Sequence, residues 1–147
     1  MEGFKDAVEA EAVNSFWESR KHGKLRKRAE KHGQELLALF ANAKLSKRGA
    51  AIREPVSGVG FIDFLVTFSS GLLHVVELKV LKGRALPGPS QLATYMKQKK
   101  RNEGWLVFFD SRKSAFKHAV PPSIKTRSGI IRTVVIDINP TPPHLLQ

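Results

Sequence analysis

The sequence predicts an α/β domain, a mixed β-sheet flanked by helices, and three observations lead there. Apolar runs of strand length recur along its second half: FIDFLVTF, LLHVVELKV, GWLVFFD and IIRTVVIDI. Helically spaced apolar residues mark positions 4–20 and 36–40 and return in QLATYMKQKKRN. The resulting order (helices, strand meander, helix, strand, loop, strand) fits a sheet with helical layers.

The 147 residues fit one domain, large enough to bury a core without staples. Residues 1–45 read as N-terminal basic helices, 50–138 as the core and 139–147 as a proline-rich tail. Over residues 4–20, Val8, Ala12 and Phe16 share a helical face. Gly23 is expected to break that helix, and a second runs from about Lys24 to Ala43 with an apolar stripe of Leu36, Leu37, Leu39 and Phe40. A short strand follows near Ala51–Glu54. Strands over roughly 60–68 and 72–80 are joined by SSG. LKGRALPGPS is a loop ending at Ser90, a candidate N-cap for the next helix. GWLVFFD is expected at the centre of the sheet. The stretch from Ser111 to Gly129 reads as loop with one helical turn, and IIRTVVIDI as the last strand.

Composition narrows the chemistry. The chain has no cysteine, which excludes disulfides, thiolate metal sites and cysteine nucleophiles and fits a reducing compartment. No run is long and apolar enough for a membrane span, and the first residues are acidic where a signal peptide is basic. A cytoplasmic, nucleoid-associated protein is expected. Twenty-five Lys and Arg against 13 Asp and Glu give a net charge of +12, which favours a polyanionic partner and nucleic acid above all. Seven of those cations lie between Arg20 and Lys31, among them Arg26, Lys27 and Arg28. Such a run is either a solvated face or a phosphate-binding one.

Charge inside the apolar strands raises a sharper question. With side chains alternating along a strand, Glu77 and Lys79 share a face with Leu73 and Val75, and an antiparallel partner turned at SSG can bring Asp63 alongside. Two carboxylates in a dry site repel unless a cation separates them. An oxygen-only set of Asp63, Glu77 and the Leu78 carbonyl suits Mg²⁺ or Mn²⁺. Lys79 beside such a metal can orient or deprotonate a bound water, or stabilise charge on a phosphate. Taken alone, E-x-K is more often a cross-strand salt bridge.

The pieces GFID (Gly60–Asp63), ELK (Glu77–Lys79) and QLATY (Gln91–Tyr95), in that order, resemble the PD-(D/E)XK nuclease superfamily, in its RecB-type branch with a Q-x-x-x-Y motif. The resemblance spans about residues 50–115, and FID lacks the proline of the family's name. It implies a restriction-endonuclease-like αβα sandwich. It further implies that Asp63 and Glu77 bind Mg²⁺, that Lys79 serves catalysis, and that Gln91 and Tyr95 hold the DNA strand. Family members often carry another carboxylate on the first helix. Glu35 is the choice here, with Glu11, Glu18 and Glu30 left open. Glu54 has an equally open surface or supporting role.

Gln91 and Tyr95 are one helical turn apart and share a face. Lys82 and Arg84 in the preceding loop, and Lys97, Lys99, Lys100 and Arg101 beyond, are expected to surround that face with phosphate-binding charge. The five histidines show no metal-ligand spacing, and neither a Walker loop nor a nucleophile elbow is present. The expected activity is thus a metal-dependent endo- or exodeoxyribonuclease in repair, recombination or defence. A non-catalytic nucleic-acid-binding or accessory module on the same scaffold is the alternative. A homodimer and a larger helicase, ATPase or recombination partner are both compatible with a chain of this kind.

Overall fold

The computed structural model describes residues 1–53, 64–68, 73–113 and 117–140. The first helix is shorter and less regular than its apolar spacing predicts. Helix α1 (Glu2–Ala7) runs on through a π turn (Val8–Ala12) and a 3-10 turn (Val13–Phe16). At Trp17 the backbone becomes extended. Two anchors fix that change: Phe16 is fully buried, and Trp17 Nε1 donates to the Ile138 carbonyl at 2.6 Å.

The chain then forms an antiparallel hairpin, β1 (Trp17–Ser19) with β2 (Lys24–Leu25), where the sequence predicts helix. Gly23 turns this hairpin at φ +60° instead of separating two helices. Charge explains the difference. A helix through this run would stack Arg20 on Lys24, Lys24 on Arg28 and Lys27 on Lys31, and like charges at that spacing are destabilising. Helix α2 therefore begins only at Ala29 and continues to Leu45.

Six strands form the main sheet, in the order β3-β4-β5-β6-β8-β7. Strands β3 (Gly49–Arg53), β4 (Phe64–Phe68) and β5 (Leu73–Leu81) make an antiparallel meander. Helix α3 (Pro89–Gln98) then carries the chain across to β6 (Glu103–Asp110), which pairs parallel with β5. Strand β7 (Ser123–Thr126) forms a hairpin with β8 (Gly129–Asp137), and β8 lies parallel to β6. The sequence reads the β7 segment as loop, because four residues with only two half-buried positions give too little alternation to register. Pro89 opens α3 with Gly88 as its cap, two residues earlier than Ser90 suggests; proline suits a helix start because its missing N–H has no helical partner there.

Helices cover both faces of the sheet. Val76, Leu78, Val107, Phe109 and Ile136 pack with α1 and α2, whereas Val75, Leu81, Leu106, Phe108 and Ile131 pack with α3. Strand β6 is central, as predicted, and its alternate residues are buried on opposite faces. Leu37 is buried on α2, but the rest of the predicted stripe is not: Leu36 and Phe40 are half-buried and Leu39 is 71% exposed. The buried stripe is instead Ala29, Gly33, Leu37 and Ala41, mostly small residues that let the helix lie close to the sheet.

Gly33 is the point of closest approach, since a Cβ there would overlap three ring carbons of Phe109. That ring is fully buried and wedged between Phe4 and Phe16. Gly33→Ala is expected to destabilise the fold by about 1–3 kcal/mol despite alanine's better helix propensity, because overpacking a tight core outweighs that gain. Urea unfolding of wild type and variant reads this directly, and an unchanged midpoint would contradict it.

Candidate functional site

Strand β5 extends beyond the described part of β4. Their ladder runs from Phe64 opposite Val76 to Thr67 opposite Leu73, whereas Glu77 to Leu81 continue alongside β6. Glu77 lies opposite Leu106, on the face covered by α3, and is fully buried. A buried carboxylate is costly without a positive partner. Lys79, two residues on and on the same face as the alternation predicts, supplies one: its Nζ lies 3.1 Å from Glu77 Oε1.

Lys79 also reaches the opposite helical layer. Its Nζ is 3.4 Å from Oε1 of Glu30, in the first turn of α2. Its aliphatic stem passes against Gly88, where an added Cβ would stand 3.3 Å from Lys79 Cγ and 3.1 Å from Leu106 Cδ1. Gly88 has φ +99°, so both its conformation and its space favour glycine. One lysine thus touches the start of α2, the start of α3 and the middle of β5. Two carboxylates converge on a single ammonium, close to the C-terminal ends of the parallel strands, where open α/β sheets commonly bind ligands.

The other predicted site residues divide. Asp63 and Glu54 lie outside the described residues. Leu78 is fully buried in the α1–α2 core, between the two charged positions as the sequence requires. Gln91 is half-buried in the first turn of α3, three residues past Gly88. Tyr95 is 6% exposed and packed with Leu92, Met96 and Phe108, with Lys99 Nζ 5.4 Å above its ring. Its ring is therefore a core component.

Lys82 and Arg84 are exposed in the loop leaving β5, on the Lys79 side of the sheet. Lys97, Lys99, Lys100 and Arg101 are exposed at the other end of α3. There Met96 packs on Gly104, which pairs with Val75, four residues and roughly 13 Å along the strand from Lys79. Those four cations do not surround the Glu77–Lys79 pair. Arg26, Lys27 and Arg28, also exposed, lie two to four residues before Glu30 in the chain.

Glu35, the sequence's choice for the helical carboxylate, is exposed, and its charge acts on His32. Glu30 holds the place beside Lys79. His32 Nε2 lies 2.6 Å from Ser15 Oγ, which itself donates to the Ala12 carbonyl at 2.6 Å. The hydroxyl proton is committed to that carbonyl, so His32 is the donor to Ser15 and the pair does not form an activated nucleophile. Burial first, and then Arg26, hold the imidazole below its ordinary pKa, against an opposing pull from Glu35.

A second buried charge pair lies at the end of β6. Asp110 accepts from Arg112 Nε and from Nη2, both at 3.0 Å, and Nη2 also donates to the His118 carbonyl. The bond to Asp110 raises the guanidinium pKa above its ordinary value. This pair ties the strand end to the following loop, and its sequence signal was the D-x-R spacing itself.

The carboxylates of Glu77 and Glu30, which share the Lys79 ammonium, are the hard oxygen donors this region offers a cation. Among the described residues no group of three or more His, Cys, Asp or Glu gathers into a metal cluster. Among them, too, no helix is long and apolar enough to cross a membrane.

Residues 1–113 match the model of a family described as Domain of unknown function (DUF8371). No curated protein matches the chain. Among solved structures, SfsA of Pyrococcus furiosus in complex with Ca²⁺ is similar at 18% identity, over 61% of this chain and 44% of that one, with a TM-score of 0.39. The chain thus aligns with less than half of that protein, and a likeness of this size fixes neither fold nor activity.

Lys79→Met is expected to cost about 3–5 kcal/mol in urea unfolding, because it removes a cation from a buried carboxylate. Combining it with Glu77→Leu should recover a large part of that loss, and no recovery would show that the pair is not coupled. Acid should act through His32. Its folded pKa is lowered, so the stability it contributes is full above the unfolded value and is lost as pH falls through the folded one. Wild type should weaken below about pH 6.5, and His32→Gln should weaken less over the same interval. Parallel curves would refute this.

Proposed function

The chain belongs to the DUF8371 family, and from the geometry of its site we propose a Mg²⁺- or Mn²⁺-dependent deoxyribonuclease on a restriction-endonuclease-like αβα fold, hydrolysing DNA phosphodiester bonds. One observation carries the reading: a fully buried Glu77 with Lys79 Nζ 3.1 Å away on the same face of a core strand. A site built only for stability would be better filled by apolar residues, since well-packed hydrophobic replacements of buried ion pairs are often neutral or stabilising. Charge kept at such a position suits chemistry that needs it.

In this reading Glu77, the Leu78 carbonyl and Asp63 hold the cation, and Glu30 takes the part first given to Glu35. The donor set supports a hard divalent ion, because it is all oxygen. Such an ion, when bound, would neutralise charge developing on the scissile phosphate. Lys79 positions the attacking water or meets the same charge. Its stem is held by Gly88 and its tip by two carboxylates, so its ammonium has one place to be. Gln91, at the head of α3, steadies the DNA strand, and Tyr95 supports that helix from within the core.

A second reading has its own observation. Glu77, Lys79 and Glu30 already form an ion-pair network, an arrangement that also suits a purely structural role in a non-catalytic nucleic-acid-binding module. Incubating plasmid and single-stranded DNA with Mg²⁺ or Mn²⁺ separates the two. Wild type should cut, and Lys79→Gln or Glu77→Gln, each verified as folded by circular dichroism, should cut about a hundredfold more slowly or worse. Equal cutting by folded variants would sink the nuclease. Salt-sensitive binding without any cutting would select the module.

A further inference from the structure

The hairpin that replaces the predicted helix is a feature the site chemistry does not use. Strands β1 and β2 and the start of α2 display Arg20, Lys21, Lys24, Arg26, Lys27, Arg28 and Lys31, and every one of them is exposed. The only carboxylate between Arg20 and Lys31 is Glu30, which is engaged with Lys79. We infer that this hairpin is a rigid cationic finger that grips the backbone of duplex DNA next to the β5 site. The inference rests on the proposed action on DNA and adds the element that holds it.

Rigidity comes from the base. Phe16 sits in the core, Trp17 is bonded to the Ile138 carbonyl, and Arg26 N donates to the Phe16 carbonyl at 3.0 Å. Lys24 Nζ and Glu18 Oε1, 2.8 Å apart, brace the two strands. A pre-ordered ribbon loses little freedom on binding. Two-stranded ribbons also match the width of the major groove. Position adds to shape: the run ends in α2, where Glu30 touches Lys79, so DNA held along it arrives at that lysine.

An anionic membrane is the less fitting partner. Interfacial binding needs large apolar side chains beside the cations, and Leu39 and Ile130, the large apolar residues exposed among those described, are both outside the hairpin.

The test is fluorescence anisotropy of a short labelled duplex with the full chain, in EDTA so that no cutting occurs, across a salt titration. Removing three phosphate contacts in Lys21→Ala/Lys27→Ala/Arg28→Ala, which leaves the Lys24–Glu18 brace in place, should make the slope of log affinity against log salt shallower by about 2.7, and weaken binding roughly a hundredfold at about 0.1 M salt. Lys125→Ala/Arg127→Ala, at the exposed β7–β8 turn, should leave both unchanged. The inference is overturned if the hairpin variant keeps the wild-type slope, if the control loses as much, if wild type does not bind duplex, or if phosphatidylserine vesicles bind as tightly as DNA. Wild type that binds through the hairpin yet never cuts would refute the nuclease and leave the finger standing. Cutting with an unaltered slope in the hairpin variant would do the reverse.

Discussion

The ion pair between Lys79 and buried Glu77 is the constraint on which the arrangement of layers turns. A carboxylate without solvent demands a cation at contact distance, and the strand's alternation places one two residues away. Lys79 then has to leave the plane of the sheet, and two of the groups it meets on the way stand at element starts. Gly88 opens α3 against its stem, and Glu30 in the first turn of α2 meets its tip. The two helical layers cover opposite faces of the sheet, yet both begin at the same side chain. A change at Lys79 therefore disturbs the sheet and both helices together.

That arrangement depends on how closely the layers approach. The small stripe on α2 and the glycine at 33 bring the helix down onto Phe109, while Gly88 lets α3 begin against Leu106. With larger residues at these points the helix starts would stand further off, and a lysine side chain would no longer span from one to the other. Close packing and the charged cluster are thus one design, since the distances in the second are set by the glycines in the first.

Local alternation made the central pair legible from sequence. Glu77 and Lys79 had to share a face wherever β5 began, because period two is insensitive to strand ends. The helical carboxylate was not legible, for the opposite reason. Glu30 and Glu35 are five residues apart and so about 140° apart around a helix, and choosing between them requires knowing which face packs inward. The large apolar residues at 36–40 pointed to one face, whereas the helix packs through Ala29, Gly33, Leu37 and Ala41. Tyr95 shows a related limit: spacing put it on the face of Gln91, but only packing decides that its ring joins the core. Apolar spacing predicts helix up to Phe16, but the run beyond it carries charges that repel at that very spacing, and the hairpin forms there instead.

Charge in this chain is segregated, and the net value of +12 understates how strongly. Four of the 13 carboxylates fall within the first eleven residues, and Glu9 among them accepts from the Asp137 backbone and pairs with Lys5. Lys117 and Asn139 hold Asp137 itself below its ordinary pKa, overcoming the opposing and larger single effect of its burial. Acidic groups thus serve to close the β8 end of the sheet, where each has a cation or an N–H to satisfy it. The cations of the hairpin are arranged otherwise: all seven are exposed within twelve residues, and Lys24, with Glu18, is the one of them that forms an ion pair among the described contacts, a concentration of like charge that raises the energy of the isolated protein. A fold that neutralises its charges in one place and concentrates like charges in another presents there a surface suited to the polyanionic partner proposed above. The local excess sits on a firmly anchored ribbon that leads to Lys79, so on the proposed action on DNA the phosphate backbone would meet the protein at the lysine on which the layers converge.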